Sequence, residues 1–176
     1  MIDIKQNYFE LFALPVAYKL DGAQLSARYR ELQKVLHPDR FAHLSERERR
    51  LSVQYTAFLN EAQATLKSPL KRAQYLLTLS GIDTVSETSV NMEPAFLMRQ
   101  MMLREELEEA AESSDPEGAL DALSEEVGDE LRKERQQFEV QYLADELDAA
   151  ASTVRKMQFL EKLVLEIEAL EDELLD

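Results

Sequence analysis

The sequence predicts an all-α protein, and three observations carry that prediction. Gly and Pro are few, four and five in 176 residues, so long stretches run without a helix breaker. Good helix formers dominate (Ala, Leu, Glu, Gln and Arg), while runs of Val, Ile and Thr are missing. Apolar residues also recur at three- and four-residue spacing, the period of a helix with one buried face.

The elements follow in order. Asn7 to Leu14 (N-Y-F-E-L-F-A-L) predicts a short aromatic-rich helix stopped by Pro15. Asp21 offers the next N-cap, with Gln24 three residues on completing a capping box. Leu25, Tyr29, Leu32 and Leu36 then form one apolar stripe, and Pro38 ends the helix by excluding the residue before it from helical geometry. Ser45 with Glu48 reads as a second capping box. It opens a helix with Leu51, Tyr55, Phe58, Ala62 and Leu66 on one side. Two such helices joined by a short turn should pack antiparallel. Ser68-Pro69 starts a helix that closes near Ser80-Gly81, where Gly suits a left-handed cap.

Residues 82–90 are polar and β-branched without helical period, which predicts a linker. Three long helices should follow, from Asn91 to about Ser113, from Asp115-Pro116 to about Leu143, and from about Glu146 to Leu174. In the last, Leu160, Leu163, Ile167, Leu170 and Leu174 repeat like a coiled-coil seam. Together they predict an antiparallel three-helix bundle over residues 91–176, after a helical-hairpin domain over 1–81.

Charge separates the halves. Residues 1–80 hold 12 Lys/Arg and 8 Asp/Glu, a net of +4, whereas residues 81–176 hold 8 and 27, a net of −19. Halves so different suggest two domains with different partners. The overall charge of −15 disfavours nucleic acid. The absence of Cys excludes disulfides and thiolate-held metals or clusters. No apolar run approaches the roughly 20 residues of a membrane span, and the first residues lack a signal-peptide pattern. A cytoplasmic monomer needing no cofactor or metal is the expectation. An enzyme is not expected: no Gly-rich phosphate loop occurs, neither His sits in a nucleophile–base motif, and no His beyond residue 43 could serve a di-iron bundle.

His37-Pro38-Asp39 lies in the turn of the predicted hairpin. Pro38 stiffens the turn and Asp39 is displayed at its tip, where a carboxylate can meet an Arg of another protein. Arg28, Arg30 and Lys34 precede it and Arg47, Arg49 and Arg50 follow, a basic surround that can steer an acidic partner. Two plainer readings stand beside this one: an ordinary helix stop, and a metal site at His37, Asp39 and His43.

Residues 8–75 resemble a J-domain. Tyr29-Arg30 precedes His37 at the J-domain spacing, and Arg40 matches the basic residue that follows His-Pro-Asp. Y-F-E-L-F-A-L-P at 8–15, H-P-D-R-F-A at 37–42 and S-P-L-K-R-A-Q-Y-L-L at 68–77 resemble the HscB family, the J-type co-chaperones of iron–sulfur cluster assembly. The resemblance implies that His37, Pro38 and Asp39 stimulate ATP hydrolysis by a DnaK-type chaperone, HscA, with Tyr29, Arg30, Lys34 and Arg40 lining the docking face. Leu36 departs from the aromatic residue common before the motif. No Gly/Phe-rich segment and no Cys-rich zinc domain is present, unlike a general DnaJ.

The helix predicted over 91–113 has two apolar faces. At 100° per residue, Leu103, Leu107 and Ala110 fall within about 40° of Phe96 and form a core face. Leu97, Met98, Met101 and Met102 fall between about 100° and 240°, with Glu105 and Glu109 among them. Such a stripe marks either a protein-binding surface or a helix buried on both sides. A-F-L-M at 95–98, L-R-E-E-L at 103–107 and T-V-R-K-M-Q-F-L at 153–160 again resemble HscB. The resemblance implies that Leu97, Met98, Met101, Glu105, Glu109 and Phe159 bind the cluster scaffold IscU, and Met102, on the same apolar stripe, is expected to join them. Met102 stands where the family is often acidic. Two alternatives remain open from the residues: a J-protein for an unrelated client, and a structural module that self-associates through the Leu160–Leu174 seam.

Overall fold

The computed structural model describes residues 3–41, 43–85 and 93–175, with the side chains of Pro38, Phe41 and Leu175 left aside. It is all-α, with no strand among the described residues. The chain divides into two compact units, Met1–Leu79 and Ser80–Asp176.

The first unit holds α1 (Tyr8–Leu11), α2 (Gly22–Leu36), a 3-10 turn at Pro38–Phe41, α3 (Glu46–Lys67) and α4 (Pro69–Leu79). Asn7 caps α1, sharing reciprocal hydrogen bonds with Glu10. The predicted stop at Pro15 comes too late. Ala13 already turns left-handed at φ 52°, and the Leu14 N–H donates back to the Phe9 carbonyl at 2.9 Å. That is a helix-closing bond pattern usually given to Gly, here carried by Ala. Asp21 caps α2 alone, its Oδ1 accepting from the N–H groups of Ala23 and Gln24, so it is a simple cap in place of the expected box. The Ser45–Glu48 box forms as predicted and holds the Glu48 carboxyl below its usual pKa, through the Ser45 hydrogen bonds.

Helices α2 and α3 run antiparallel. Tyr29, midway along α2, reaches Asn60, and Ser52 reaches the Leu36 carbonyl at the end of α2. Leu25 and Leu36 of the α2 stripe are buried, as are Leu59, Ala62 and Leu66 of α3. Short α1 is locked by its aromatic residues. Tyr8 stacks on Tyr75 with ring centroids 4.4 Å apart and meets Phe58 edge-on at 5.6 Å. The Tyr8 N–H also donates to the Tyr75 hydroxyl at 3.0 Å. Gly81 takes the expected left-handed conformation after α4, at φ 85°.

The second unit holds α5 (Pro94–Ala111), α6 (Pro116–Leu143) and α7 (Leu147–Leu175). The expected helix start at Asn91 and most of the expected linker lie outside the described residues. Residues 82–85 of that linker belong to the second unit: Thr84 is buried and its carbonyl accepts from Gln158 of α7. Contacts fix the helix directions. Along α6 and α7, Gln141 meets Thr153 and Arg135 meets Glu161, an antiparallel order. Along α5 and α7, Glu93 meets Lys156, Phe96 meets Phe159 and Arg104 meets Glu166, a parallel order. The unit is an up-down-up bundle with Leu103, Leu120, Val127, Phe138, Met157, Leu163 and Ile167 in its core.

This packing decides two expectations. Leu160, Leu163 and Ile167 are buried inside the bundle, and of that seam Leu174 alone is exposed. The seam is spent within the unit, which removes the basis for self-association through it. On α5, Phe96, Leu103, Leu107 and Ala110 are buried as predicted, while the opposite stripe faces solvent.

Candidate functional site

Two surfaces stand out, one on each unit. On the first, α2 ends at Leu36 because His37 is extended, at φ −55° and ψ 131°, as a residue before Pro must be. The chain re-enters a single 3-10 turn, closed by the Arg40 N–H donating to the His37 carbonyl at 3.0 Å. Beneath it, Leu36 is buried and its carbonyl accepts from the buried Ser52 hydroxyl at 3.4 Å. The turn is thus tied to α3 from below while its tip stays free.

Asp39 projects from this turn with its side chain 90% exposed. His37 Nδ1 lies 3.3 Å from the Asp39 backbone nitrogen and 3.4 Å from its Oδ2. The first contact needs Nδ1 as an acceptor and the second needs it protonated, so the two are alternatives that both hold the imidazole against Asp39. Arg30 and Lys34 are exposed one helical turn apart, and Arg40 is exposed beyond the turn. Tyr29 is half-buried, its hydroxyl fixed to Asn60 at 2.8 Å. The backbone therefore places Tyr29, Arg30 and Lys34 along the helix that leads to His37-Pro38-Asp39. Asn60 and Ser52 do the fixing. Their part depends on the α2–α3 register, which spacing along the chain does not show. Among the described residues no group of three or more His, Cys, Asp or Glu is placed to hold a metal ion.

The second surface is on α5. Leu97, Met98, Met101 and Met102 are 46%, 65%, 73% and 50% exposed, so the alternative of a helix buried on both sides is overturned. Glu105 and Glu109 are exposed among them. The flanks of α5 are pinned by arginines. On the α6 side, Arg99 Nη2 meets Glu126 at 2.5 Å and its Nε donates to Glu130 at 2.9 Å, with Glu106 at 3.3 Å from Nη1. The Glu130 hydrogen bond, with Glu126 and Glu106 around it, raises the Arg99 pKa further and keeps it charged. On the α7 side, Arg104 pairs with Glu166, and its guanidinium lies 5.5 Å from the Phe159 ring centroid. Phe159 also meets Phe96 edge-on at 5.8 Å. It is half-buried beside the seam, at the border between the core and the α5 stripe. Arg104 escaped the sequence reading. The signal was there in its angle, about 20° from Leu97 on the helix, but its partners on α7 were not.

A carboxylate held out on a stiff turn beside a basic helix flank suits contact with another protein, and an exposed Leu/Met stripe suits a second contact. On a helical hairpin joined to an acidic bundle, this is the arrangement expected of a J-type co-chaperone. The chain's relatives narrow the class. The family model described as HSCB C-terminal oligomerisation domain matches residues 92–168. The co-chaperone protein HscB homolog of Vibrio cholerae is 48% identical over 169 residues, covering 96% of this chain and 99% of that one. The homolog of Aliivibrio salmonicida is also 48% identical, with the same coverage. Among solved structures, chaperone HscB from Vibrio cholerae superposes with a TM-score of 0.87 at 48% identity, over 96% of this chain and 99% of that one. Human co-chaperone protein HscB gives 0.88 at 29% identity, over 96% and 83%. The chain belongs to the HscB co-chaperone family.

Proposed function

We propose that this protein is a two-ended adaptor of iron–sulfur cluster assembly. Its first unit acts as the J-domain and stimulates ATP hydrolysis by the DnaK-type chaperone HscA. Its second unit binds the scaffold protein IscU and delivers it to that chaperone. His37, Pro38, Asp39, Tyr29, Arg30, Lys34 and Arg40 form the chaperone contact. Leu97, Met98, Met101, Met102, Glu105, Glu109 and Phe159 form the scaffold contact. The observation that carries this reading is the solvent-facing Leu97–Met102 stripe on a chain that also displays Asp39. A J-type turn alone would serve any client, whereas an apolar face on a separate unit gives one client its own seat.

Holding client and chaperone on one chain replaces a three-body encounter by a local one, which raises the client's effective concentration at the chaperone. The exposed positive charges of Arg30, Lys34 and Arg40 steer an acidic chaperone surface, so stimulation should weaken as salt rises. The Leu160–Ile167 seam is already filled within the bundle, so a monomer is the form expected to meet both partners. Sedimentation of the free protein checks that state.

The test is the steady-state ATPase rate of HscA with and without this protein and IscU. Stimulation by this protein that rises further when IscU is added supports the adaptor. Stimulation indifferent to IscU, together with no recovery of IscU in a pull-down, would assign the protein to another client.

A further inference from the structure

We infer that Met98, Met101 and Met102 form an oxidation site for peroxides, through which oxidants switch off the client face of α5; the consequence for binding rests on the reading of that face as the scaffold contact. The three methionines sit at i, i+3 and i+4, neighbours on one helix face. These residues are 65%, 73% and 50% exposed, so solvent reaches this face of the helix. Met157, by contrast, is 0% exposed in the bundle core. Susceptibility of a thioether follows its access, so a small peroxide separates these positions sharply.

The chemistry is a two-electron oxygen transfer. A sulfur lone pair attacks one peroxide oxygen and the O–O bond breaks. The oxygen stays on sulfur as a sulfoxide, and the other leaves as water, or as an alcohol when the oxidant is an alkyl hydroperoxide. Sulfur is oxidised and the peroxide is reduced. Each event replaces an adaptable apolar tip by a strong hydrogen-bond acceptor. Three such changes leave Leu97 as the remaining unmodified apolar member of the stripe. Bringing those acceptors into an apolar contact without partners is unfavourable. The bundle itself should not notice, because Phe96, Leu103, Leu107 and Ala110 bury the opposite face of α5. The change is reversible in kind, since sulfoxide reductases return the thioether.

The experiment treats the full-length protein with hydrogen peroxide, removes the oxidant with catalase, and then measures oxygen incorporation at each methionine and affinity for IscU. Met98, Met101 and Met102 should gain oxygen before Met157. Binding should weaken about tenfold or more, a shift of about 1.4 kcal/mol, with the helical signal unchanged, and methionine sulfoxide reductase should restore it. The Met98→Leu, Met101→Leu, Met102→Leu variant should bind equally before and after peroxide. Oxidation of Met157 as fast as the three, undiminished binding by the oxidised protein, or an equal loss in the Leu variant would each overturn the inference. The unoxidised Leu97→Ala, Met101→Ala, Phe159→Ala variant separates the two readings. If it binds IscU like the wild type, the scaffold reading fails and takes this inference with it. If it binds weakly while the oxidised wild type binds normally, the oxidation inference alone fails.

Discussion

Asp39 touches its own turn and little else, so replacing it separates contact from folding. The Asp39→Asn variant keeps the size of the side chain and removes the charge that an Arg of the chaperone would meet. Stimulation of the HscA ATPase should fall more than about tenfold, the scale of one charge-assisted contact. Stability should change by no more than about 0.5 kcal/mol, as for other exposed sites. An ATPase titration and a thermal melt decide it, and full stimulation by the variant would refute the assigned role. Arg104 invites a different test. It pairs with Glu166 and covers the Phe159 ring, so it positions a residue of the proposed scaffold contact without belonging to that contact itself. Arg104→Ala should cost about 0.5–1 kcal/mol of stability, the worth of a partly exposed ion pair and cation–π contact. It should also weaken IscU binding by loosening Phe159. Calorimetry on both counts checks the link, and Glu166→Gln should show the same pair of effects in milder form. Asp39 was legible in the sequence because three adjacent residues define its turn. The role of Arg104 was not, because it comes from where α5 lies along α7.

At the scale of elements, α5 shows what periodicity can and cannot say. The angular positions of Phe96, Leu103, Leu107 and Ala110 identified the core face, and all four are buried. The same arithmetic exposed a second apolar stripe but could not tell a surface from a second interior. Packing on α6 and α7 through only one side of the helix settles it, with Arg99 and Arg104 holding the two flanks. A pair of variants turns this into numbers. Leu97→Ala, Met101→Ala and Phe159→Ala together should weaken scaffold binding at least about tenfold, as loss of several apolar anchors does. Their stability cost should come chiefly from the half-buried Phe159. Leu103→Ala, on the buried face of the same helix, should instead cost about 2–5 kcal/mol. Chemical denaturation of both tells surface from core, and a large loss in the triple variant would show that the stripe supports the bundle. Helix ends were less legible than helix faces. The box at Ser45–Glu48 was readable because both partners sit at fixed spacing. The end of α1 was not, because Ala13 takes a left-handed turn that its residue type does not announce.

The molecule as a whole was legible in its charge. A net of +4 on residues 1–80 against −19 on 81–176 changes sign where the fold divides, at residues 79 and 80. The expected linker was less well placed, since Thr84 packs into the second unit through contacts with α7 that a polar, aperiodic stretch does not reveal. The two proposed sites on one chain would have a consequence that neither would have alone. The Asp39→Asn protein should still bind IscU through α5 and yet fail to trigger the chaperone. Added in excess to a mixture of wild-type protein, IscU and HscA, it should sequester the scaffold and abolish the extra stimulation that IscU brings. Stimulation by the wild-type protein alone should remain. The inhibition should be lifted by more IscU, and it should vanish when Leu97→Ala, Met101→Ala and Phe159→Ala are combined with Asp39→Asn in the competitor. An ATPase titration with each competitor measures this. If the single variant does not compete, the two ends do not act through one chain. If the combined variant competes equally well, the scaffold seat lies elsewhere on the protein. Only an adaptor whose ends work independently, and are joined by the chain between them, gives the full pattern.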